Sequence, residues 1–186
     1  MVAIGRGGVP VGRKIRDGLG GILTMLAVKK ITDSSGRTVG AVASDGTSYL
    51  LGTAAGSTGQ PAVEQQIAQA CADAVRDQAA HAEQWKTVMA GRPVIVVDDA
   101  VATGATAAAA IQAVRDAKPS LIIFATPAGT ISGLELAAQL ADELVTIHSA
   151  LDFQALAEVY TDHLPVSDAE LSESLQVSPD GGRPRH

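Results

Sequence analysis

The chain has 186 residues, which suits a single domain, because domains usually run from roughly 50 to 250 residues. Hydrophobic residues make up 46% and charged residues 18%, which excludes a disordered chain, and the apolar runs fall far short of the roughly 18 residues that a membrane span needs. The net charge of -6 argues against a nucleic acid or an anionic membrane surface as partner, although a few local amides and cations could still hold a small anionic ligand.

Apolar runs with the spacing of strands alternate along the chain with runs that have the spacing of helices. The predicted elements, in chain order, are a strand at 2–5, a helix at 9–19, a strand at 22–28, a hairpin of 39–43 and 47–51, a helix at 62–90, a strand at 94–97, a helix at 104–117, a strand at 121–125, a helix at 132–141, a strand at 143–147 and a helix at 152–160. Segments rich in glycine, proline and polar residues are predicted as loops between them, at 5–8, 32–38 and 53–61.

This alternation predicts an α/β fold with a mainly parallel, doubly wound sheet flanked by helices, and with small hood elements near the C-terminus. We expect one domain over residues 1–172 and a flexible tail over 173–186, where proline, glycine and charge prevail. Ligands of such sheets bind at the carboxyl ends of the strands. Four segments follow predicted strands and are therefore candidates for a site, at 5–8, 29–30, 98–106 and 126–130.

One of these segments has a pattern that indicates chemistry. Residues 94–106 are Val-Ile-Val-Val-Asp-Asp-Ala-Val-Ala-Thr-Gly-Ala-Thr, in which a buried strand delivers two carboxylates and a short loop leads directly into a helix. The start of a helix offers unpaired amides and a positive dipole end, which suits a phosphate, and Gly104 lets that phosphate approach the backbone. Asp98 and Asp99 can only accept hydrogen bonds, which suits the hydroxyls of a ribose. The spacing predicts a sugar-phosphate site.

The same thirteen residues resemble the phosphoribosyl-diphosphate (PRPP) signature of the class I phosphoribosyltransferases, with four aliphatic residues, an acidic pair, three further residues and Thr-Gly-x-Thr. The resemblance implies that Asp98 and Asp99 are the catalytic pair and hold the 2′- and 3′-hydroxyls of the ribose. It assigns the 5′-phosphate to the turn that follows them, made of Ala102, Thr103, Gly104, Ala105 and Thr106.

Two further segments resemble this family. Arg6, Gly7 and Gly8, after the first strand, are similar to its diphosphate-binding loop. Lys29 and Lys30, after the second strand, are similar to a basic pair that would neutralise the departing diphosphate.

The sharper resemblance is to a bacterial subgroup of predicted phosphoribosyltransferases of unsettled substrate, on residues 6–11, 28–31 and 160–168, and it spans residues 2 to 172. It implies an enzyme that uses PRPP and Mg²⁺, transfers the phosphoribosyl group to a base-like nitrogen and releases diphosphate. Mg²⁺ would bind largely through substrate and water, with Asp98 and Asp99 as the candidate protein ligands. The resemblance also implies a homodimer.

Three departures from the family bear on its activity. The chain starts at the first strand, so either part of the hood over the acceptor would be missing or the sequence would be truncated at its start. The loop after Lys30 is short and lacks a tyrosine, with Arg37 as its only cation, so the usual catalytic lid is reduced. Lys29 stands where arginine is common, which loses bidentate geometry. These departures support an alternative to the enzyme. The protein would then be a PRPP-binding regulator with little or no transferase activity that acts through a protein partner.

The site residues also have simpler explanations. Asp98 and Asp99 could cap the following helix, Arg6 could be a solvated loop residue, and Lys29 and Lys30 could be a strand exit that faces water. A phosphoacceptor receiver domain also ends a strand in Val-Val-Asp-Asp. It is disfavoured, because the acidic pair does not lie near the start of the chain and no third aspartate follows a later strand.

The other notable side chains favour packing roles. Cys71 and Trp85 lie on the apolar stripe of the 62–90 helix, and the single cysteine indicates a reducing, cytoplasmic setting. The four histidines show neither metal-ligand spacing nor a nucleophile partner. Tyr160, Phe153 and the uncharged segment 126–130 could line an acceptor pocket, but the sequence does not identify the acceptor.

Overall fold

The computed structural model of the chain describes residues 1–52, 54, 61–79, 86, 89–152 and 166–175. Strands and helices alternate along this part of the chain. The strands are β1 (Val2–Ile4), β2 (Thr24–Leu26), β3 (Val28–Thr32), β4 (Thr38–Ala43), β5 (Ser48–Leu50), β6 (Pro93–Val97), β7 (Ala100–Val101), β8 (Leu121–Thr130) and β9 (Glu143–Ala150). The helices are α1 (Gly5–Leu19), α2 (Pro61–Ala79), α3 (Ala105–Asp116), α4 (Ile131–Leu140) and α5 (Asp168–Leu175).

The larger of two sheets is parallel, with the strands in the order β2-β1-β6-β8-β9 and with β7 in line with β6 beside β8. The pairing of β6 ends at Val97, and β7 resumes it from Ala100 with the same offset along β8. Pro127 of β8 lies in this gap and has no amide hydrogen to donate. β6 and β7 therefore follow the same path beside β8, and the strand pairing between them is interrupted at Asp98 and Asp99.

Helices cover both faces of this sheet, which confirms the predicted α/β fold. Val2 and Ile4 of β1 contribute to the core on the side of α3 and α4, and Ala3 contributes to the core on the side of α1. Phe124 of β8 is the largest fully buried side chain of the described residues. The rest of the core is aliphatic, as the composition predicts.

The smaller sheet is the antiparallel set β3-β4-β5, which confirms the predicted hairpin. It lies between α2 and α3. Ile31 and Val42 pack with Ala70 of α2, with the half-buried Cys71 beside them. Ala41, on the other face, packs against Ala105 and Ala109 of α3.

α3 separates the two sheets and is buried on nearly every side. Eight of its 12 residues are buried, and most of these are alanines, so both sheets can approach the helix closely. In the part of the chain that the structure describes, no helix combines the length and the apolar character needed to cross a bilayer.

Two predicted boundaries near the amino terminus are wrong. The segment 5–8 is the first turn of α1 and not a loop, because close packing of Gly7 against Asp99 and of Gly8 against the end of β6 outweighs the low helix propensity of glycine. The predicted strand 22–28 is two strands that belong to different sheets, with the change at Ala27. Lys29 and Lys30 therefore lie inside β3 and do not follow a strand. A continuous apolar run does not show where a chain leaves one sheet for another.

The predicted end of the strand at residue 125 is also wrong, because β8 continues through Pro127 to Thr130 with pairing on both sides of the proline. α5 is an element that the sequence analysis did not predict. Ser167 and Glu170 form a capping box at its start: the Glu170 carboxylate accepts the Ser167 amide, and the Ser167 hydroxyl accepts the Glu170 amide. That Ser-x-x-Glu pattern was available in the sequence.

Several predictions fall outside the described residues. They concern the end of the 62–90 helix with Trp85, the helix at 152–160 with Phe153 and Tyr160, and most of the loop at 53–61. α5 crosses the domain boundary predicted at residue 172, and both that boundary and the flexible tail stay predictions.

Gly133, in the first turn of α4, lies against the Ala102 carbonyl oxygen and Val101, where a Cβ has no room. We expect Gly133→Ala to lower the free energy of unfolding by about 1–3 kcal/mol, because overpacking forces the backbone apart. Gly18→Ala is the matched control, since Gly18 of α1 has open space around it and should gain roughly 0.5–1 kcal/mol. Urea denaturation measures both, and equal effects of the two changes would contradict the close approach.

Candidate functional site

A cavity of about 290 Å³ opens at the carboxyl edge of the parallel sheet, between the ends of β1 and β6. The strand order reverses at this place, where ligands of doubly wound folds bind. α1 and α3 both begin beside the cavity, so two positive helix-dipole ends lie near it. The predicted site residues that line it are Lys30, Asp98, Asp99, Ala102, Thr103 and Thr106.

A close backbone contact with the start of α4 shapes the turn before α3. Gly104 adopts the left-handed region with φ +78°, and a Cβ there would lie 2.8 Å from the Gly133 carbonyl oxygen. Thr130 donates a hydrogen bond to the Ala102 carbonyl oxygen and, as the N-cap of α4, accepts one from the Gly133 amide. The N-cap of α3 is itself a glycine and has no side chain to cap the helix, but the Thr103 hydroxyl accepts the Ala105 amide at 3.4 Å.

Asp98 is buried at the end of β6 with little charge to offset its own. Its amide donates to the Ala125 carbonyl oxygen of β8, and its Oδ1 accepts the Asp99 amide at 3.0 Å. Burial, followed by the negative charge of Asp99, raises the pKa of Asp98 well above its usual range, and the Asp99 amide and the charge of Lys30 oppose this only in part. A bound cation or hydroxyl donor would stabilise this carboxylate.

Asp99 lies against the first turn of α1. Its Oδ1 accepts the Ala100 amide at 2.9 Å, and its Oδ2 is so close to Gly7 that a Cβ there would collide with it. A Cβ on Gly8 would lie 2.6 Å from the Val97 carbonyl oxygen. The structure thus brings the predicted residues Gly7 and Gly8 to the acidic pair, as part of a helix whose first amides have no intrahelical acceptor.

Lys29 and Lys30, predicted to act as a pair, lie on opposite faces of β3. Lys30 lines the cavity with the acidic pair, and its charge acts on Asp98. Lys29 forms an ion pair with Asp77 of α2, with 2.5 Å between Nζ and Oδ2. The division follows from strand geometry, because successive side chains point in opposite directions.

Arg6 and Lys29 line a second cavity of about 230 Å³, which shares Gly5 and Val28 with the first. The start of α5 and the residues just before it contact Arg6 at two atoms. Asp168 forms an ion pair with Nη2 at 2.5 Å, and the Val166 carbonyl oxygen accepts a hydrogen bond from Nη1 at 3.4 Å. The Asp168 side chain is 82% exposed, and such surface ion pairs contribute about 0–1 kcal/mol. A polyanion could therefore take the place of the carboxylate.

The acidic pair has the chemistry of a partial magnesium site. No group of three or more acidic, histidine or cysteine side chains among the described residues could hold a metal ion by itself. Two adjacent carboxylates nevertheless suit Mg²⁺, which keeps several waters and commonly binds through one or two carboxylates and substrate phosphates. The raised pKa of the buried Asp98 shows a carboxylate that lacks a full counter-charge, which agrees with this role.

Sequence reasoning missed three residues that shape these cavities: Asp77, Gly133 and Asp168. Thr130 lies in the candidate segment 126–130, but its hydrogen bond to the turn before α3 was not predicted. Asp77 and Asp168 contact Lys29 and Arg6 across 48 and 162 positions of the chain, counted as 77 minus 29 and 168 minus 6. No local pattern could have revealed those two contacts.

Comparisons with known proteins identify sequences and structures similar to this chain. Residues 1–163 match the sequence model of the phosphoribosyl transferase domain. A Mycobacterium tuberculosis protein named "Putative phosphoribosyl transferase MT0597" is 29% identical over 178 residues, or 92% of this chain, and the chain spans 40% of that protein's length. The crystal structure of TT1426 from Thermus thermophilus is 31% identical, with a TM-score of 0.71 over 94% of this chain and 86% of that one.

The family match covers most of the chain and includes the acidic pair, the turn after it and the first turn of α1. The chain therefore belongs to the phosphoribosyl transferase domain family.

Proposed function

We propose that the protein is a Mg²⁺-dependent phosphoribosyltransferase that takes PRPP as donor, transfers the 5-phosphoribosyl group to a base-like nitrogen and releases diphosphate. One observation carries the proposal: an acidic pair whose first member is buried, a lysine and the start of a helix whose N-cap is a glycine line a single cavity. A five-carbon sugar that carries phosphate at one end and diphosphate at the other needs this set of groups. Membership of the family supports the same conclusion.

In this proposal the turn 102–106 binds the 5′-phosphate through its backbone amides and the hydroxyls of Thr103 and Thr106. Asp98 and Asp99 accept hydrogen bonds from the 2′- and 3′-hydroxyls and so fix the ribose ring. Lys30 faces the diphosphate from β3. The second cavity, with Arg6 and Lys29, receives the far end of the diphosphate once it displaces their carboxylate partners.

The reaction breaks the bond between C1 of the ribose and the diphosphate oxygen, and the electron pair leaves with the diphosphate. The acceptor nitrogen forms the new bond to C1 with its lone pair, and the proton that it carried passes to solvent. The sugar is cationic in the transition state, so the negative charge of Asp98 and Asp99 beside it is favourable, and the lysine stabilises the leaving group. The rest of the rate enhancement comes from holding donor and acceptor in line. The chemistry requires no protein nucleophile.

Mg²⁺, when bound, would offset the charge of the diphosphate. Asp98 and Asp99 are the residues that would hold it together with substrate oxygens and water. The incomplete neutralisation of Asp98 supports this assignment.

Three finer proposals accompany the main one. The acceptor would reach C1 near the end of β8, where Thr126 and Thr130 are buried. The protein would act as a homodimer, and it would work in the cytoplasm, as the resemblance and the single cysteine indicate.

Thermal melting with PRPP and Mg²⁺ tests the donor. At a hundred times its dissociation constant the ligand should add about 2.7 kcal/mol of stability to the wild type. The double variant Asp98→Asn, Asp99→Asn should lose both this gain and the release of diphosphate, because the ribose loses its acceptors, while it still melts cooperatively. Asp116→Asn, at the exposed end of α3, is the control for replacing an aspartate outside the site and should behave as the wild type.

Full diphosphate release by the double variant would contradict the assignment. Binding of PRPP by the wild type without release of diphosphate, across a panel of nitrogen bases, would identify the regulator instead of the enzyme.

The raised pKa of Asp98 predicts a pH-dependent cost to the ligand-free fold. Folding favours the protonated carboxyl, so the stability contributed by this group is present at low pH and is lost as pH rises through the folded-state pKa. We expect Asp98→Asn to be more stable than the wild type at pH 8, with a difference that shrinks toward pH 5. Urea denaturation across this range measures it, with Asp116→Asn as control, and a difference that grew toward pH 5 would show that the sign is wrong.

A further inference from the structure

The chain changes sheets at one corner, where β2 of the parallel sheet ends and β3 of the small sheet begins. Only Ala27 lies between the two strands, and it is 3% exposed. β2 pairs with β1 along one edge, so the polar groups of its other edge need partners from elsewhere. The Ser44 amide of the β4–β5 turn supplies one of them, by donating to the Ala27 carbonyl oxygen at 2.9 Å.

Gln78, near the end of α2, supplies two further partners. Its Oε1 accepts the Ala27 amide at 2.8 Å, and its Nε2 donates to the Met25 carbonyl oxygen at 3.0 Å. The amide of a residue and the carbonyl two residues before it point to the same edge of a strand, so this carboxamide pairs with β2 as a neighbouring strand would. The carboxamide makes a third hydrogen bond, because Oε1 also accepts the Ser44 hydroxyl at 3.3 Å.

This corner decides which lysine faces the acidic pair. Side chains of a strand alternate, so a change of one residue at Ala27 would exchange the faces of Lys29 and Lys30. Asp77, the residue before Gln78, holds Lys29 on the side of α2. Lys30 is then directed to the cavity that contains Asp98 and Asp99.

We propose that Gln78 is a positioning residue for the diphosphate end of the donor. Its hydrogen bonds fix the backbone at the corner between β2 and β3, and this backbone directs the Lys30 side chain into the cavity. The inference rests on the proposed function, because it assigns Lys30 to the diphosphate. Gln78 does not line either cavity and acts through the strand alone.

The variant Gln78→Met keeps the length of the side chain and removes its hydrogen bonds. We expect it to weaken the binding of PRPP with Mg²⁺ and of inorganic diphosphate roughly tenfold, as for loss of one contact to a charged group. The affinity for ribose 5-phosphate should stay within about twofold, because the turn 102–106 and the acidic pair are unchanged. Titration calorimetry measures all three. Gln69→Met, on the exposed side of the same helix, is the matched control and should alter none of them.

Gln78→Glu is the second variant, since it retains an acceptor for the buried Ala27 amide and loses the donor to Met25. It should keep the fold if Gln78→Met does not, with an intermediate loss of diphosphate affinity. A general loosening of the fold would lower all three affinities together in either variant, and that result would overturn the proposal.

A double-mutant cycle with Lys30→Met separates a positioning role from an independent one. If Gln78 acts through Lys30, Gln78→Met should have no further effect on diphosphate binding once Lys30 is replaced. Additive losses would overturn the inference. Failure of the proposed function would look different, because the wild type itself would then bind neither PRPP nor diphosphate.

Discussion

Backbone segments meet at the carboxyl edge of the parallel sheet with no space between them for side chains, and the geometry of the site depends on these contacts. Gly7 touches the Asp99 carboxylate, Gly8 lies on the last carbonyl of β6, and Gly133 lies on the carbonyl of Ala102. Each contact joins the start of a helix to a neighbouring strand or turn. Together they draw the acidic pair and the first turn of α1 to one side of a cavity, and the turn before α3 to the other. A sugar that is recognised at both ends needs such fixed spacing, because a displacement of one wall would separate the groups that hold its hydroxyls from those that hold its phosphate.

The basic side chains at the two cavities differ in their carboxylate partners. Arg6 and Lys29, at the second cavity, each have a carboxylate partner from a helix, while Lys30 faces the acidic pair across the first cavity. Asp98 is buried with incomplete compensation, so the ligand-free protein carries an electrostatic cost at the place where a cation and a polyol would relieve it. Such sites commonly trade stability for function. The partners of Arg6 and Lys29 lie on α5 and α2, so elements far apart in sequence contribute to the same edge of the sheet.

Much of the site could be predicted from the sequence, because its central signal is local. The run of aliphatics, the two aspartates and the Thr-Gly-x-Thr turn lie within thirteen residues, and the structure places the acidic pair and that turn around one cavity. The alternation of strands and helices likewise predicts the parallel sheet. Prediction failed where the outcome depends on the tertiary fold. The corner at Ala27 divides one apolar run between two sheets. Pro127 lies within a strand because the residue pairs on either side of it keep β8 paired with β9. The carboxylate partners of Arg6 and Lys29 come from distant parts of the chain. α5 is a different case, because its capping box was present in the sequence and was overlooked.

A crystal structure of the complex with ribose 5-phosphate and Mg²⁺ tests the central claim most directly, since this ligand carries the sugar and the 5′-phosphate without the diphosphate. The account predicts the phosphate within hydrogen-bond distance of the backbone amides of residues 103–106, with the 2′- and 3′-hydroxyls on Asp98 and Asp99. A phosphate bound instead between Arg6 and Lys29, with the acidic pair free of the sugar, would contradict it.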